Sequence, residues 1–271
     1  MHILIALHDP SDVKLTLKFA AHLRRVVDES SVVLAVNDPK KAYSQAKNSL
    51  AGAAEALGFP LIKTQLRIGY AGKEILSEAR ESGYELIILG ESDSTVTTPL
   101  LSRESTATWV VERAACPVIV VKGQVGEVKR ILLCDSGAEN PMLSRMTLQL
   151  ADLLGGEEEV TALHVMSQIS AWPGVQGKQL RAEADELILA HTPEGQVLEQ
   201  VVKALGHPGI HVTAKVRHGL VVDEILAEAQ SGNYDLVVIG AHRDEGWQRF
   251  FLDDLAHKIL VKMDRPVLVV R

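Results

Sequence analysis

GYELIILG at residues 83–90 and NYDLVVIG at residues 233–240 are nearly the same phrase written twice. At the same offset Gly69 faces Gly219, Glu74-Ile75-Leu76 faces Glu224-Ile225-Leu226, and Glu78-Ala79 faces Glu228-Ala229. A fixed offset held over such a span, with Tyr84/Tyr234 and Gly90/Gly240 kept, marks an internal duplication. A chain of 271 residues is also long for one hydrophobic core and comfortable for two. The expected division is one lobe over residues 1–123 and a second over 128–271.

Outward from the quoted stretches, each copy alternates short apolar runs with amphipathic ones. In the first copy residues 2–7, 31–36, 61–68, 85–90 and 117–121 read as strands, and 12–27, 40–57, 71–82 and 105–114 as helices. In the second, strands fall at 130–134, 159–165, 211–217, 235–240 and 266–270, with helices at 142–154, 178–205, 221–231 and 254–263. Solid Val/Ile/Leu strands between helices predict an α/β fold, a doubly wound parallel five-stranded sheet in each lobe. The offset grows from 128 at the first strand to 150 later, which places the extra residues of lobe 2 at SQISAWPGVQG (167–177) and the helix after it. Both lobes close on a short β-branched strand after a proline, a bare edge if the sheet stopped there. Residues 117–121 and 266–270 are expected to cover each other, making an internal pseudo-dimer joined by a polar, glycine-bearing linker at 122–129.

Hydrophobic residues make up 46% of the chain and charged residues 23%, a balance that supports folded, buried cores. The formal charge is −7 with no Lys/Arg stripe, so nucleic acid is not an expected partner. The apolar run in MHILIALHDP is too short for a secretion signal or a bilayer span, and the expected setting is the cytoplasm, away from membranes. Cys116 and Cys134 fit neither a disulfide framework nor a zinc pattern and read as small buried side chains. His207, His211 and His218 flank a Pro-Gly turn with no acidic or cysteine neighbour, so no metal site is expected. No glycine-rich phosphate loop ending in lysine, nucleophile elbow or paired-histidine zinc motif is present, and His8 beside Asp9 is only a dipeptide. An enzyme is not the expectation.

Ligands of doubly wound sheets bind beyond the carboxyl ends of the strands, at the switch point. In lobe 1 that region is His8-Asp9-Pro10 with the loop ESDSTVTTPLLSRES (91–105); in lobe 2 it is Asp135-Ser136-Gly137 with AHRDEGWQRFFLDD (241–254). Each loop leads into a helix N-terminus, which favours an anion. Gly90 and Gly240 read as tight turns needing positive φ, and Ser105 as a helix cap. Trp172-Pro173-Gly174 reads as a lid or a loop anchor, and Trp247, Phe250 and Phe251, beside the lobe 2 site, as core packing or a lobe contact, with a ligand or partner surface as the alternative.

The five-strand repeat, the turn after its first strand, the helix carrying E-I-L, the Y-[DE]-L-[IV]-[IV]-[IL]-G strand and the closing P-V-[IL]-V-V together resemble the universal stress protein family in its tandem two-domain form. The resemblance covers essentially the whole chain and implies the adenine nucleotide alpha hydrolase-like fold. ATP-binding members carry G-x-x-G after the fourth strand and then G-[ST] at the next helix start. Carried over, lobe 1 offers Gly90, Asp93 and Glu104-Ser105, and lobe 2 offers Gly240, Arg243 and Asp253-Asp254. At the base end the family's Asp matches Asp135 in lobe 2, whereas lobe 1 has His8 there. The residue whose backbone meets the base corresponds to Val36 and Val165. Glu104, Asp253 and Asp254 would cap their helices well and repel a triphosphate, by roughly 1 to 4 kcal/mol per charge pair at about 4 Å.

Two functions follow from the resemblance. One is a stress-response regulatory protein with degraded adenine-nucleotide pockets, acting through protein contacts or another small ligand; Glu104, Asp253 and Asp254 favour it. The other is a stress protein in which one lobe still binds nucleotide, with slow ATP hydrolysis; Asp135, Gly240, Arg243 and Ser105 favour that. No cofactor is fixed by these residues, and ATP with Mg is the one the resemblance brings. The protein or small-molecule partner is left open, as is a further homodimer.

Overall fold

The computed structural model describes residues 1–23, 31–39, 47–48, 50–58, 62–91, 105–135, 146–147, 158–166, 182–206, 208–240 and 254–270. Lobe 1 contributes strands β1 (Ile3–Leu7), β2 (Val32–Asn37), β3 (Lys63–Ile68), β4 (Leu86–Gly90) and β5 (Val118–Val121). Lobe 2 contributes β6 (Arg130–Asp135), β7 (Glu159–Met166), β8 (His211–His218), β9 (Leu236–Gly240) and β10 (Val267–Val270). The described helices are α1 (Val13–His22), α2 (Ala53–Leu57), α3 (Ala71–Ser82), α4 (Thr106–Arg113), α5 (Ala184–Leu189), α6 (Pro193–Leu205), α7 (Val221–Ser231) and α8 (Asp254–Lys262).

Within each lobe the strand pairs are parallel, as continuous apolar strands between helices require. The lobes then join. β5 and β10 pair antiparallel, Val118 opposite Val269, Ile119 opposite Leu268 and Val120 opposite Val267, so the expected covering of the two bare edges occurs. One sheet of 10 strands results, in the order β3-β2-β1-β4-β5-β10-β9-β6-β7-β8.

Side-chain alternation along the strands divides the core by sheet face, not by lobe. Ile119, Val121, Leu268 and Val270 join a cluster with Leu17 and Phe19 of α1, Leu57 of α2 and Leu205 of α6. Val118, Val120, Val267 and Val269 join the opposite cluster, with Ile75 of α3, Val110 of α4, Ile225 of α7 and Ile259 of α8. Each core therefore runs across the lobe junction, and the duplicated halves cannot separate without exposing both.

Two expectations need correction. The helix expected over 178–205 is two, α5 and α6, because Thr192 caps α6 with its side chain accepting from the Gly195 N–H at 3.1 Å and Pro193 occupies the first turn. Proline is tolerated there and breaks a helix anywhere further in. The stretch 122–129, expected as a polar linker, is one only in part: Gly123, Gln124, Gly126, Glu127 and Lys129 are exposed, but Lys122, Val125 and Val128 are buried. Its Gly123 has φ +64°, and a Cβ there would lie 1.7 Å from the Asp264 carbonyl oxygen just before β10. The helix expected at 142–154 lies outside the described residues apart from Met146 and Thr147, and so does Trp172 with the stretch around it.

The duplication also preserves a buried ionic network. In lobe 1 Arg67 donates to Glu78 Oε2 at 2.6 Å and Tyr84 donates to Glu78 Oε1 at 2.9 Å. In lobe 2 Arg217 donates to Glu228 Oε2 at 2.6 Å, and Lys215 and Tyr234 donate to Oε1 at 2.9 Å each. Burial pushes the Glu228 carboxyl up, but the bonds from Lys215, Arg217 and Tyr234 outweigh it and hold it below its usual value. Burial, with the Glu228 charge beside it, pushes Tyr234 up to about 12. These bonds tie the outer strand of each lobe to the helix that follows.

Two outcomes are expected. Gly123→Val lowers stability by about 2–4 kcal/mol, from left-handed backbone strain and the displaced Asp264 backbone, read as a lower denaturation midpoint. Glu228→Gln costs roughly 1.5–3 kcal/mol near neutral pH. A carboxyl with a depressed folded pKa stabilises above its unfolded value, about 4.3, and loses that contribution as pH falls below it. Wild type and Glu228→Gln therefore converge in stability as the pH drops toward 3, whereas a pH-independent gap would contradict this.

Candidate functional site

Strand register decides which residues of the two lobes correspond. Ala6 sits opposite Leu89, and Cys134 sits opposite Ile239. The residue matching Asp135 is then Leu7, not His8 as expected, and Leu7 is buried in the core. The identification of Val36 with Val165 holds, since each pairs with the network arginine of its lobe, Arg67 or Arg217. Asp135, at the end of β6, pairs with His164.

In lobe 1 the chain crowds against the last residue of β4, among the described residues. The turn after β1 is drawn in by Asp9, whose carboxylate accepts from the Ser11 N–H at 3.0 Å and the Ser11 hydroxyl at 2.8 Å. His8 and Asp12 are turned inward, with His8 Nδ1 3.4 Å from Asp12 Oδ2. A Cβ on Gly90 would lie 2.5 Å from Asp12 Cβ and 2.6 Å from Thr16 Oγ1. Close approach of α1, and not the positive φ expected, is thus what requires glycine at position 90. Gly240 is likewise not among the positive-φ glycines.

Ser105 is the N-cap of α4, as expected. Its Oγ accepts from the Thr108 N–H at 3.1 Å and lies 2.9 Å from the Thr108 hydroxyl. Sequence reading missed its other neighbour. Glu91, next after Gly90, brings Oε1 to 3.5 Å from Ser105 Oγ, and its Oε2 accepts from Lys122 Nζ at 2.7 Å. A carboxylate of the chain thereby stands at the helix end that would attract an anion. The only sequence signal was an acid directly after the strand-ending glycine.

Lobe 2 differs. Between the C-terminal parts of β6, β7 and β9 and the helices α7 and α8 lies a cavity of about 180 Å³ whose described walls include Cys134, Val165, Val221, Ile225, Gly240 and Ile259. Two expected site residues, Val165 and Gly240, meet there. The lobe 1 counterparts of Val221 and Val222 are Ala71 and Gly72, and Trp109 packs against Gly72, where a Cβ would lie 2.4 Å from the indole. The same position in the two lobes is thus walled differently.

Glu104, Arg243 and Asp253 lie outside the described residues, as do Trp247, Phe250 and Phe251. Asp254 begins α8. Cys116 and Cys134 are in no disulfide, and among the described residues no cluster of three or more His, Cys, Asp or Glu is placed to hold a metal ion. Among them also, no helix is long and apolar enough to cross a membrane.

Two universal stress proteins of Methanocaldococcus jannaschii are similar in sequence. One is 27% identical over 125 residues, covering 42% of this chain and 77% of that protein. The other is 28% identical over 116 residues, 42% of this chain and 66% of that protein. A universal stress protein from Archaeoglobus fulgidus shares the fold across 99% of this chain and 96% of its own, with TM-score 0.66 at 18% identity. A functionally unknown protein from Pseudomonas aeruginosa does so with TM-score 0.68 at 21% identity, over 99% of this chain and 92% of its own. The profile of the Universal stress protein family matches residues 1–122 and again residues 127–271. The chain belongs to the universal stress protein family and carries the family's domain twice in tandem.

Proposed function

We propose that this is a cytoplasmic stress-response binding protein, with lobes at 1–123 and 128–271, whose adenine-nucleotide pockets are degraded unequally. Lobe 1 holds no nucleotide, and lobe 2 keeps only the base end, taking a small uncharged ring. The observation that carries this reading is Glu91, placed at the start of α4 and paired with Lys122 at 2.7 Å. A phosphate at that helix end has to displace a carboxylate that already faces the Ser105 hydroxyl and holds Lys122; with the carboxylate freed of its lysine, two such charges at about 4 Å repel by roughly 1 to 4 kcal/mol. Leu7 in place of an acid at the base end supports the same conclusion for lobe 1.

For lobe 2 the support is size and chemistry. A cavity of about 180 Å³ suits one ring system, since an apolar cavity of about 150 Å³ accommodates benzene. Its described walls are apolar and offer a ring van der Waals contact without demanding a charged tail. A second reading, ATP binding by lobe 2 with slow hydrolysis, draws on Val165 and Gly240 sharing that cavity.

A thermal-shift titration separates the two. A ligand at about 100 times its dissociation constant adds about 2.7 kcal/mol to native-state stability, a plain rise in melting temperature. Adenosine is expected to raise the melting temperature most, AMP less and Mg-ATP least at equal millimolar concentration. The reverse order would establish the second reading, and no shift with any of the three would remove the base-end ligand from the proposal.

A further inference from the structure

Immediately after β5 the chain buries a cation between the lobes. Lys122 is 7% exposed, and its ammonium lies 2.7 Å from Glu91 Oε2 in lobe 1. The same ammonium donates to the carbonyl oxygen of Leu260, in the last turn of α8 in lobe 2. Carbonyls of a last helical turn lack intrahelical partners and form the negative end of the helix dipole, so a cation there is stabilising. α8 also carries Leu255, Ala256 and Ile259, which wall the lobe 2 cavity. One ammonium therefore joins the anion end of lobe 1 to a wall of the lobe 2 cavity.

The two bonds of Lys122 depend on each other. A buried charge is tolerated when it is paired and hydrogen-bonded, and losing either partner leaves the remainder uncompensated. We infer that Lys122 is a positioning residue for the cavity of the other lobe, and that Glu91 holds it in place. A change at the end of β4 that parts Glu91 from Lys122 is transmitted to α8 and alters access to the cavity. This inference rests on the reading of the lobe 2 cavity as a ligand site.

The test needs no ligand. Cys134 is buried on the wall of that cavity, and the chain has 2 cysteines, so Cys116→Ala leaves Cys134 as the sole thiol. Its reaction rate with an aromatic disulfide reagent under native conditions reports local opening of the cavity. In this background Lys122→Met is expected to raise the rate about tenfold, the equivalent of one charge-assisted hydrogen bond. Lys122→Arg, which keeps the cation, restores most of the protection, and Glu91→Gln raises the rate in the same direction as Lys122→Met. Glu78→Gln, which weakens lobe 1 through a different network, leaves the rate within about twofold. An unchanged rate in Lys122→Met, or an equal rise in Glu78→Gln, would overturn the inference. Because no nucleotide is added, a negative nucleotide titration leaves this readout standing.

Discussion

The antiparallel pairing of β5 with β10 is the contact on which the rest of the molecule depends. A parallel five-stranded lobe ending on a short β-branched strand leaves a row of unmet backbone donors and acceptors at its edge. Two copies in one chain meet that need mutually: Val118, Ile119 and Val120 pair with Val269, Leu268 and Val267. Because alternate side chains of these strands point to opposite faces, the pairing also merges the cores of the lobes face by face. It sets what lies next to what at the junction, including Gly123 against the Asp264 backbone and Lys122 against the end of α8.

The two copies have kept what builds the lobe and diverged in what a ligand would touch. Arg67 and Arg217, Glu78 and Glu228, and Tyr84 and Tyr234 repeat the same buried arrangement. Removing one member of such a group strands its partners, so the geometry resists piecemeal change. At the strand ends the constraint is weaker. Leu7 stands where lobe 2 has Asp135, Ala71 and Gly72 where it has Val221 and Val222, and in lobe 1 α1 crowds against Gly90. Ser105 still caps α4, so Glu91 leaves the fold intact while changing what the helix end can receive.

Much of this was legible in the sequence. Continuous apolar runs located the inner strands, which are buried on both faces, whereas the outer strand β3 (KTQLRI), half-exposed like β8, was legible only from its alternation. The covered edges followed from two terminal strands of the same character, and the Ser105 cap from its residue type alone. Other features depend on groups distant in the chain. That Leu7 and not His8 matches Asp135 is a matter of register against β4 and β9. That Gly90 needs no positive φ but yields to Asp12 and Thr16 depends on how α1 docks. Lys122 in KGQVGEVK resembles any linker lysine until Leu260, 138 positions further along the chain, is brought to it by the strand pairing. The split of the helix expected at 178–205 was within reach, since Thr192-Pro193 is itself a helix-start signal.

Hydrogen exchange of the backbone amides in 117–121 and 266–270 tests the shared sheet most directly. The account predicts protection in both peptides close to that of β1 and β6, the middle strands of the two lobes, and well above that of the outer strands β3 and β8. Exchange of both peptides as fast as the outer strands would mean that β5 and β10 are open edges in solution, and the continuous sheet with the junction built on it would be wrong.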